Sequence, residues 1–353
     1  MLAGLSLTLA IKKHDSHSSW GAELEQLAKW LANNHRVALV TVIATWGSSP
    51  RAVGSHMVIR EDQCFFGSVS GGCIEGEVIR TAIQVIKEGQ NRLLHFKVAT
   101  DQAWEMGLSC GGRIELLIEA VDGHHPLVQR MLTPVAQETL WRLVKLVSGE
   151  QWLIESSKVN PDDSLPVSLS KPLTEAKKKQ CSVRLDDDYF LQLYQAPTRL
   201  LIVGAVHIAQ HLAVMASRCG LAPQVIDPRR GFARPERFPD TELVHDWPDR
   251  FLQTAPLRAS NALVTLSHDP KIDDPALCTA LDSEAFYIGA LGSRKTHNER
   301  LQRLGKAGYG DRLQRIHGPV GLDLGGRAPA EIATAILAEI IQTRYRKDDH
   351  AAI

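Results

Sequence analysis

The sequence predicts an α/β protein in two parts: an N-terminal mixed α/β domain and a C-terminal Rossmann-like domain with a doubly wound parallel sheet. Three observations predict it. After Pro197, short runs rich in Val, Ile and Leu alternate with helical stretches, the pattern of parallel strands buried on both faces. The first of these runs ends in a glycine turn at Gly204 that opens straight into a helix. Before residue 122, strands and helices are interrupted by glycine-rich loops rather than repeating in βαβ units.

Taken in order, residues 1–21 read as a flexible tail. The apolar run from Met1 to Ile11 lacks a basic start, and Lys12 and Lys13 follow it rather than precede it, so a tail is expected there and not a signal peptide. Leu24, Leu27 and Leu31 at helical spacing predict a helix over 23–33. The β-branched stretch 37–45 predicts a buried strand, and 57–60 and 64–69 two short strands. A helix over 74–88 closes on Gly89. Strands over 92–98 and 113–120 complete a domain of 22–122. Residues 123–196 form a linker or small connecting subdomain. Within it, 127–147 predicts a helix or two, 151–155 and 189–194 strands, and the Pro-, Ser-, Asp- and Lys-rich 160–180 an exposed connection.

The Rossmann-like domain spans 197–346, followed by a tail over 347–353. Its strands are expected at 199–203, 224–227, 262–266 and 286–290, and its helices at 208–219, 276–281, 294–305 and 331–344.

With 44% hydrophobic residues the chain can build at least two cores. Its 40 basic and 40 acidic residues cancel, which argues against a general nucleic-acid binder. No run approaches the roughly 20 apolar residues of a membrane span. Six cysteines lie scattered without a CxxC pair or zinc-ligand spacing, which predicts reduced thiols in a cytoplasmic protein.

Several loops could carry chemistry. In Val203-Gly-Ala-Val-His-Ile-Ala209, Gly204 supplies the tight turn of a dinucleotide fingerprint and Ala209 the close helix packing. The middle glycine, which lets a pyrophosphate approach the backbone, is Val206 here, so NAD(P) is a doubtful ligand. Asp227 closes the next strand, where an acid would take a ribose hydroxyl. Gly289-Ala-Leu-Gly-Ser-Arg-Lys295 follows a strand and opens a helix. Gly292, the candidate N-cap Ser293 and Arg294 make a phosphate cradle there, the alternative being a basic solvent-facing first turn.

In Ser68-Val-Ser-Gly-Gly-Cys-Ile-Glu75, Cys73 stands at a helix start, where a thiol that ordinarily titrates near 8.5 can fall to about 3.5–7.5. Cys110, in Gly107-Leu-Ser-Cys-Gly-Gly112, sits among glycines as well, and soft thiolates suit a thiophilic metal. The competing reading of either residue is a small cysteine filling a tight turn. Ser48, Ser49 and Arg51 place two hydroxyls and a guanidinium in one loop, suited to a phosphate or pterin-like ligand, the alternative being a capped turn with a surface arginine. His268, Asp269, Lys271 and Asp273 follow a strand of the second domain, and His317 and Asp323 form a second such set. Both are open to acid–base work, a metal or plain turn chemistry.

Together these motifs resemble the XdhC/CoxI family. The first block of that family matches at Gly47–Arg51, Gly67–Glu75 and Gly107–Gly112. The second matches at Gly204–Ala209, Ile226–Arg229, Ser267–Asp273, Gly289–Arg294 and His317–Asp323. Each piece alone is common, whereas eight in order over some 280 residues are specific.

The resemblance implies a first α/β domain and a C-terminal Rossmann domain in a homodimer. It also implies an accessory chaperone that binds molybdenum cofactor, as molybdopterin or molybdopterin cytidine dinucleotide. The chaperone would protect the cofactor while a cysteine desulfurase sulfurates it, then pass it to an apo molybdenum hydroxylase of the xanthine dehydrogenase or aldehyde oxidase type. Matching the motifs puts forward Ser49, Arg51, Ser70, Gly71, Gly72, Cys73, Glu75, Cys110, Gly111 and Gly112 as cofactor contacts, Cys73 and Cys110 as molybdenum contacts. In the second domain it puts forward Gly204, His207, Asp227, Arg229, His268, Asp269, Gly292, Ser293 and Arg294. Such a chaperone turns nothing over. The competing readings are an NAD(P)-dependent oxidoreductase and a non-catalytic scaffold or regulator of a molybdoenzyme complex.

Overall fold

The structure is a computed structural model that describes residues 21–47, 51–97, 112–131, 139–155, 169–179, 181–195 and 197–345. The chain divides into two compact units, Met1–Ala196 and Pro197–Ile353.

The first unit is built on a five-stranded, wholly antiparallel sheet of β1 (Val37–Trp46), β2 (His56–Arg60), β3 (Phe65–Gly67), β4 (Arg92–Lys97) and β5 (Arg113–Val121), in the order β3-β2-β1-β5-β4. β1 is central and buried on both faces, which is why it reads as a continuous apolar run. Alternation sorts its side chains: Ala38, Val40 and Val42 face helix α2 (Glu75–Glu88), while Val37 and Leu39 pack with helix α1 (Ala22–Ala32).

The stretch 123–196 departs from expectation. Helix α3 is only Pro126–Met131, and much of the expected helical region is strand β6 (Leu140–Lys145). β6 pairs with β7 (Gln151–Glu155) and β9 (Tyr189–Tyr194), and β8 (Val183–Arg184) completes a four-stranded antiparallel sheet. The apolar spacing of β6 suits either period, and pairing with distant β9 settles it. Helix α4 (Ser170–Lys179) replaces part of the expected exposed connection, because Leu173 and Ala176 bury against Trp141, Leu143 and Leu191 of this sheet. The rest of that connection, 160–168 and 180, lies outside the described residues. The two sheets pack through Ile43, Leu117, Val144 and Phe190.

In the second unit, β10 (Thr198–Val203), β11 (Leu221–Ile226), β12 (Glu242–Val244), β13 (Ala262–Thr265), β14 (Tyr287–Ala290) and β15 (Ile316–His317) form one parallel sheet in the order β12-β11-β10-β13-β14-β15. This is the Rossmann order, with the topological switch between β10 and β13. Helices α5 (His207–Arg218) and α9 (Pro329–Tyr345) cover one face through Leu212, Ala216, Ile336 and Ile340. Helices α6 (Pro248–Thr254), α7 (Pro270–Leu281) and α8 (Arg294–Leu304) cover the other through Leu252, Ala276 and Leu304. α7 starts six residues before the expected 276, because Asp269 caps it, accepting from the Lys271 amide at 2.9 Å, and Pro270 suits a first helical position.

Candidate functional site

The run Gly67–Glu75 folds around its own last residue. Burial would raise the carboxyl of Glu75, but the hydrogen bonds it accepts outweigh burial and hold it at about 2. Oε1 accepts from Ser68 Oγ at 2.7 Å and from the amides of Val69 and Ser70. Oε2 accepts from Ser70 Oγ at 2.6 Å and from the amides of Gly72 and Ile74. Gly71 and Gly72 have positive φ (85° and 123°), which lets the chain curl into this nest. The sequence offers Ser70, Gly71, Gly72 and Glu75 as contacts for an outside ligand. In the folded loop the donors of Ser70 and Gly72 point at Glu75 instead, because a carboxylate in the first turn of α2 meets the positive end of that helix. Cys73 stands two residues ahead of α2. Its amide donates to Ser70 Oγ at 3.2 Å, and its thiol is exposed.

Arg51 comes close to the same loop. Its Nη2 lies 3.5 Å from Glu23 Oε1, and Glu23 in turn packs against Gly67, where an added Cβ would come within 2.8 Å of Glu23 Cγ. Gly112 directly precedes β5, whereas Ser49, Cys110 and Gly111 lie outside the described residues.

In the second unit the candidate residues gather at the carboxyl edge of the sheet. Gly204 (φ 104°) packs so tightly on the next loop that a Cβ would stand 2.7 Å from the Ser267 amide nitrogen. Asp227 is fully buried. Its Oδ2 accepts from the Ala205 amide and Arg229 Nη2, both at 2.8 Å, and its Oδ1 from the amide and Nε of Arg229, both at 2.9 Å. Burial raises its carboxyl, and these donors more than offset that, leaving it lowered. The acid expected to take a ribose hydroxyl is thus occupied within the protein. Arg229 lies over the Phe232 ring at 4.1 Å.

His207 is exposed at the start of α5, its ring 5.0 Å from that of His211. His268 is exposed with φ 62°. Asp269 is taken up in capping α7. Ser293 caps α8, accepting from the Thr296 amide at 3.1 Å, and leaves Arg294 and Lys295 exposed.

The expected His317/Asp323 set does not form as a pair. His317 Nδ1 lies 3.1 Å from Glu339 Oε1 on α9, whose Oε2 accepts from Tyr287 Oη at 2.6 Å and from the Gly321 amide at 2.8 Å, while Asp323 is exposed. Among the described residues no group of three or more His, Cys, Asp or Glu could hold a metal ion.

Two buried charges are not legible in the sequence. Arg142 donates to Glu119 Oε1 at 2.6 Å between the two sheets of the first unit, where burial and the Arg142 charge push neighbouring His56 down to about 4. Arg300, on the inner face of α8, lies 4.0 Å from buried Asp273. A basic residue four before Leu304 on a helix is the available signal, and it reads equally as a solvated position.

Comparison with known proteins agrees with both units. The family model described as "XdhC and CoxI family" matches residues 30–97, and "XdhC Rossmann domain" matches residues 200–340. The chain is 26% identical over 325 residues to the molybdenum cofactor insertion chaperone PaoD of Escherichia coli (strain K12), covering 92% of this chain and 88% of that one. It is 25% identical over 331 residues to a probable xanthine dehydrogenase subunit of Bacillus subtilis (strain 168), covering 90% and 96%. A crystal structure from Bacillus halodurans, described as a xanthine dehydrogenase, superposes with a TM-score of 0.76 at 27% identity, over 93% of this chain and 97% of that one. Two domain models in the same order as the two folded units, and relatives matched nearly end to end, place this chain in the XdhC and CoxI family.

Proposed function

We propose that this chain is a molybdenum cofactor chaperone, which binds the cofactor, shields it during sulfuration and delivers it to a hydroxylase of the xanthine dehydrogenase or aldehyde oxidase type. The observation that carries this reading is the match to an insertion chaperone across both units. The cofactor is the cargo, as molybdopterin or its cytidine dinucleotide. A cysteine desulfurase and the apo hydroxylase are the partners, and the chain works as a cytoplasmic homodimer.

The first unit suits the cargo chemically. Its nest is already filled by Glu75, so what the loop offers outward is the Cys73 thiol on a rigid support, a soft ligand fit for molybdenum. In this reading Ser49, Arg51, Cys110, Gly111 and Gly112 supply further contacts, Cys110 as the second thiol. In the second unit the carboxyl edge, with His207, Arg229, His268 and the Gly292–Arg294 turn, receives the phosphate-bearing part of the cofactor.

The oxidoreductase reading meets a specific obstacle. Asp227 has both oxygens occupied by Ala205 and Arg229, and Val206 stands where the pyrophosphate would approach.

The test is anaerobic co-elution: the chain is incubated with freshly released molybdenum cofactor and desalted, then molybdenum and pterin fluorescence are measured against protein. Near-stoichiometric retention that falls in Cys73→Ala is expected. No retention, together with saturable NAD(P)H binding in a parallel titration, would sink the proposal.

A further inference from the structure

We infer that the turn between β14 and α8 is a phosphate-binding site whose buried cation is Arg300. The inference rests on the reading above only in naming the cofactor's phosphate as one source of ligand.

The outer half of the site is the start of α8. Ser293 takes up the Thr296 amide, while the amides of Arg294 and Lys295 have no acceptor among the described residues. A helix start of this kind favours an anion but says little alone. The inner half is the independent observation. Arg300 is 2% exposed. One nitrogen, Nη2, donates to the Leu291 carbonyl at 2.9 Å, which fixes the guanidinium beneath the turn. Nε and Nη1 are buried with no partner among the described residues. Nη1 lies 3.8 Å from the point a Cβ on Gly292 would occupy, so the unmatched nitrogen faces the one residue of the turn that carries no side chain over it.

The countercharge is incomplete. Asp273 approaches Arg300 Nη2 only to 4.0 Å, and its nearer commitment is to Ser267 Oγ at 2.6 Å, leaving Oδ2 without a hydrogen bond. Burial pushes the Asp273 carboxyl up, against the opposing pull of Ser267 and Arg300. A guanidinium buried with unmade hydrogen bonds is costly, and an anion across Gly292 relieves that cost. Buried Arg300 and two open amides lie at one turn, where Arg294 and Lys295 are exposed, so the turn concentrates donors and positive charge. They match a phosphate with three or more acceptor oxygens. The ligand class is therefore a phosphate ester, from either a phosphomonoester that carries no nucleoside or a nucleotide.

The experiment is calorimetric titration of the full chain with inorganic phosphate, pyrophosphate and cytidine monophosphate. Saturable binding is expected, weakened about tenfold or more in Arg300→Met. Arg300→Lys, which keeps the charge but not the planar fork, should fall between the two. Asp273→Asn should tighten binding several-fold by removing the countercharge, an outcome that a purely structural ion pair would not produce. If Arg300→Met fails to fold by circular dichroism, the Arg294→Ala/Lys295→Ala double variant carries the test, expected to lose binding while folded, because both side chains are exposed. Tighter binding of cytidine monophosphate than of phosphate would identify a nucleotide as the source, and equal binding a phosphate group recognised without a nucleoside. No saturable binding by the unaltered chain, or unchanged binding in folded Arg300 variants, overturns the inference. Molybdenum cofactor co-elution that persists in Arg300→Met while anion binding is unchanged would leave the chaperone reading standing without this site.

Discussion

Glu75 illustrates how one residue can organise a loop that looks made for a ligand. Six hydrogen bonds converge on its carboxylate, and its carboxyl is held at about 2 against an ordinary 4.5. A group lowered in the folded state contributes stability that is complete above the unfolded value and is lost as pH falls through the folded one. Glu75→Gln should therefore cost about 1–3 kcal/mol near neutral pH. Urea melts should show that difference shrinking as pH drops from about 4.5 towards about 2. Cys73→Ala should behave oppositely: its side chain is exposed, so stability should move by no more than about 0.5 kcal/mol, while cofactor retention falls. A Cys73→Ala variant that unfolds would make the cysteine structural. The sequence marks all nine residues from Gly67 to Glu75 as notable. It does not say which of them faces inward, because that depends on the curl permitted by Gly71 and Gly72 and on where α2 begins.

At the scale of elements, the contact between the two sheets of the first unit is held by charge as well as apolar packing. Arg142 on β6 is buried against Glu119 on β5, donates from Nε to Gln151 Oε1 on β7 at 2.7 Å, and helps hold Glu119 at about 2 despite the burial that raises it. His56, on β2, hydrogen-bonds Thr41 Oγ1 at 3.2 Å and stacks on Tyr194 at 5.8 Å. Burial lowers it to about 4, so the folded chain favours neutral His56. Its contribution is complete above pH 6.5 and declines as pH falls towards about 4, by on the order of 3 kcal/mol. His56→Gln should flatten the stability profile across that window. An unchanged profile would assign the pH dependence to other groups. Arg142→Met should cost about 3–5 kcal/mol by stranding Glu119, and adding Glu119→Gln should recover most of the loss. These partners are invisible to periodicity, which reports that a position is inside but not what it meets there. The same limit explains β6, whose apolar spacing fits a helix until β9 pairs with it.

For the whole molecule, each unit has cores of its own, so residues 197–345 expressed alone should fold cooperatively, checked by circular dichroism and a thermal melt. A fragment that stays unfolded would show that the Rossmann sheet needs the first unit. The full chain should show no saturable binding of NADH or NADPH by fluorescence, because Asp227 is engaged by Arg229. Micromolar binding would restore the oxidoreductase reading.

Fold class, the parallel second sheet and the family are all legible in the sequence. They rest on local signals: strand runs, a glycine turn before a helix, caps, and motifs in a set order. Three features came only with the folded chain: Asp227 is occupied by Arg229, His317 meets Glu339 rather than Asp323, and Arg300 lies under Gly292. Local propensity acts over a few residues. The partner of an inward-facing polar group is chosen by which strands and helices come together, here across 22 residues for part-buried His317 and Glu339 and across 23 for buried Arg142 and Glu119.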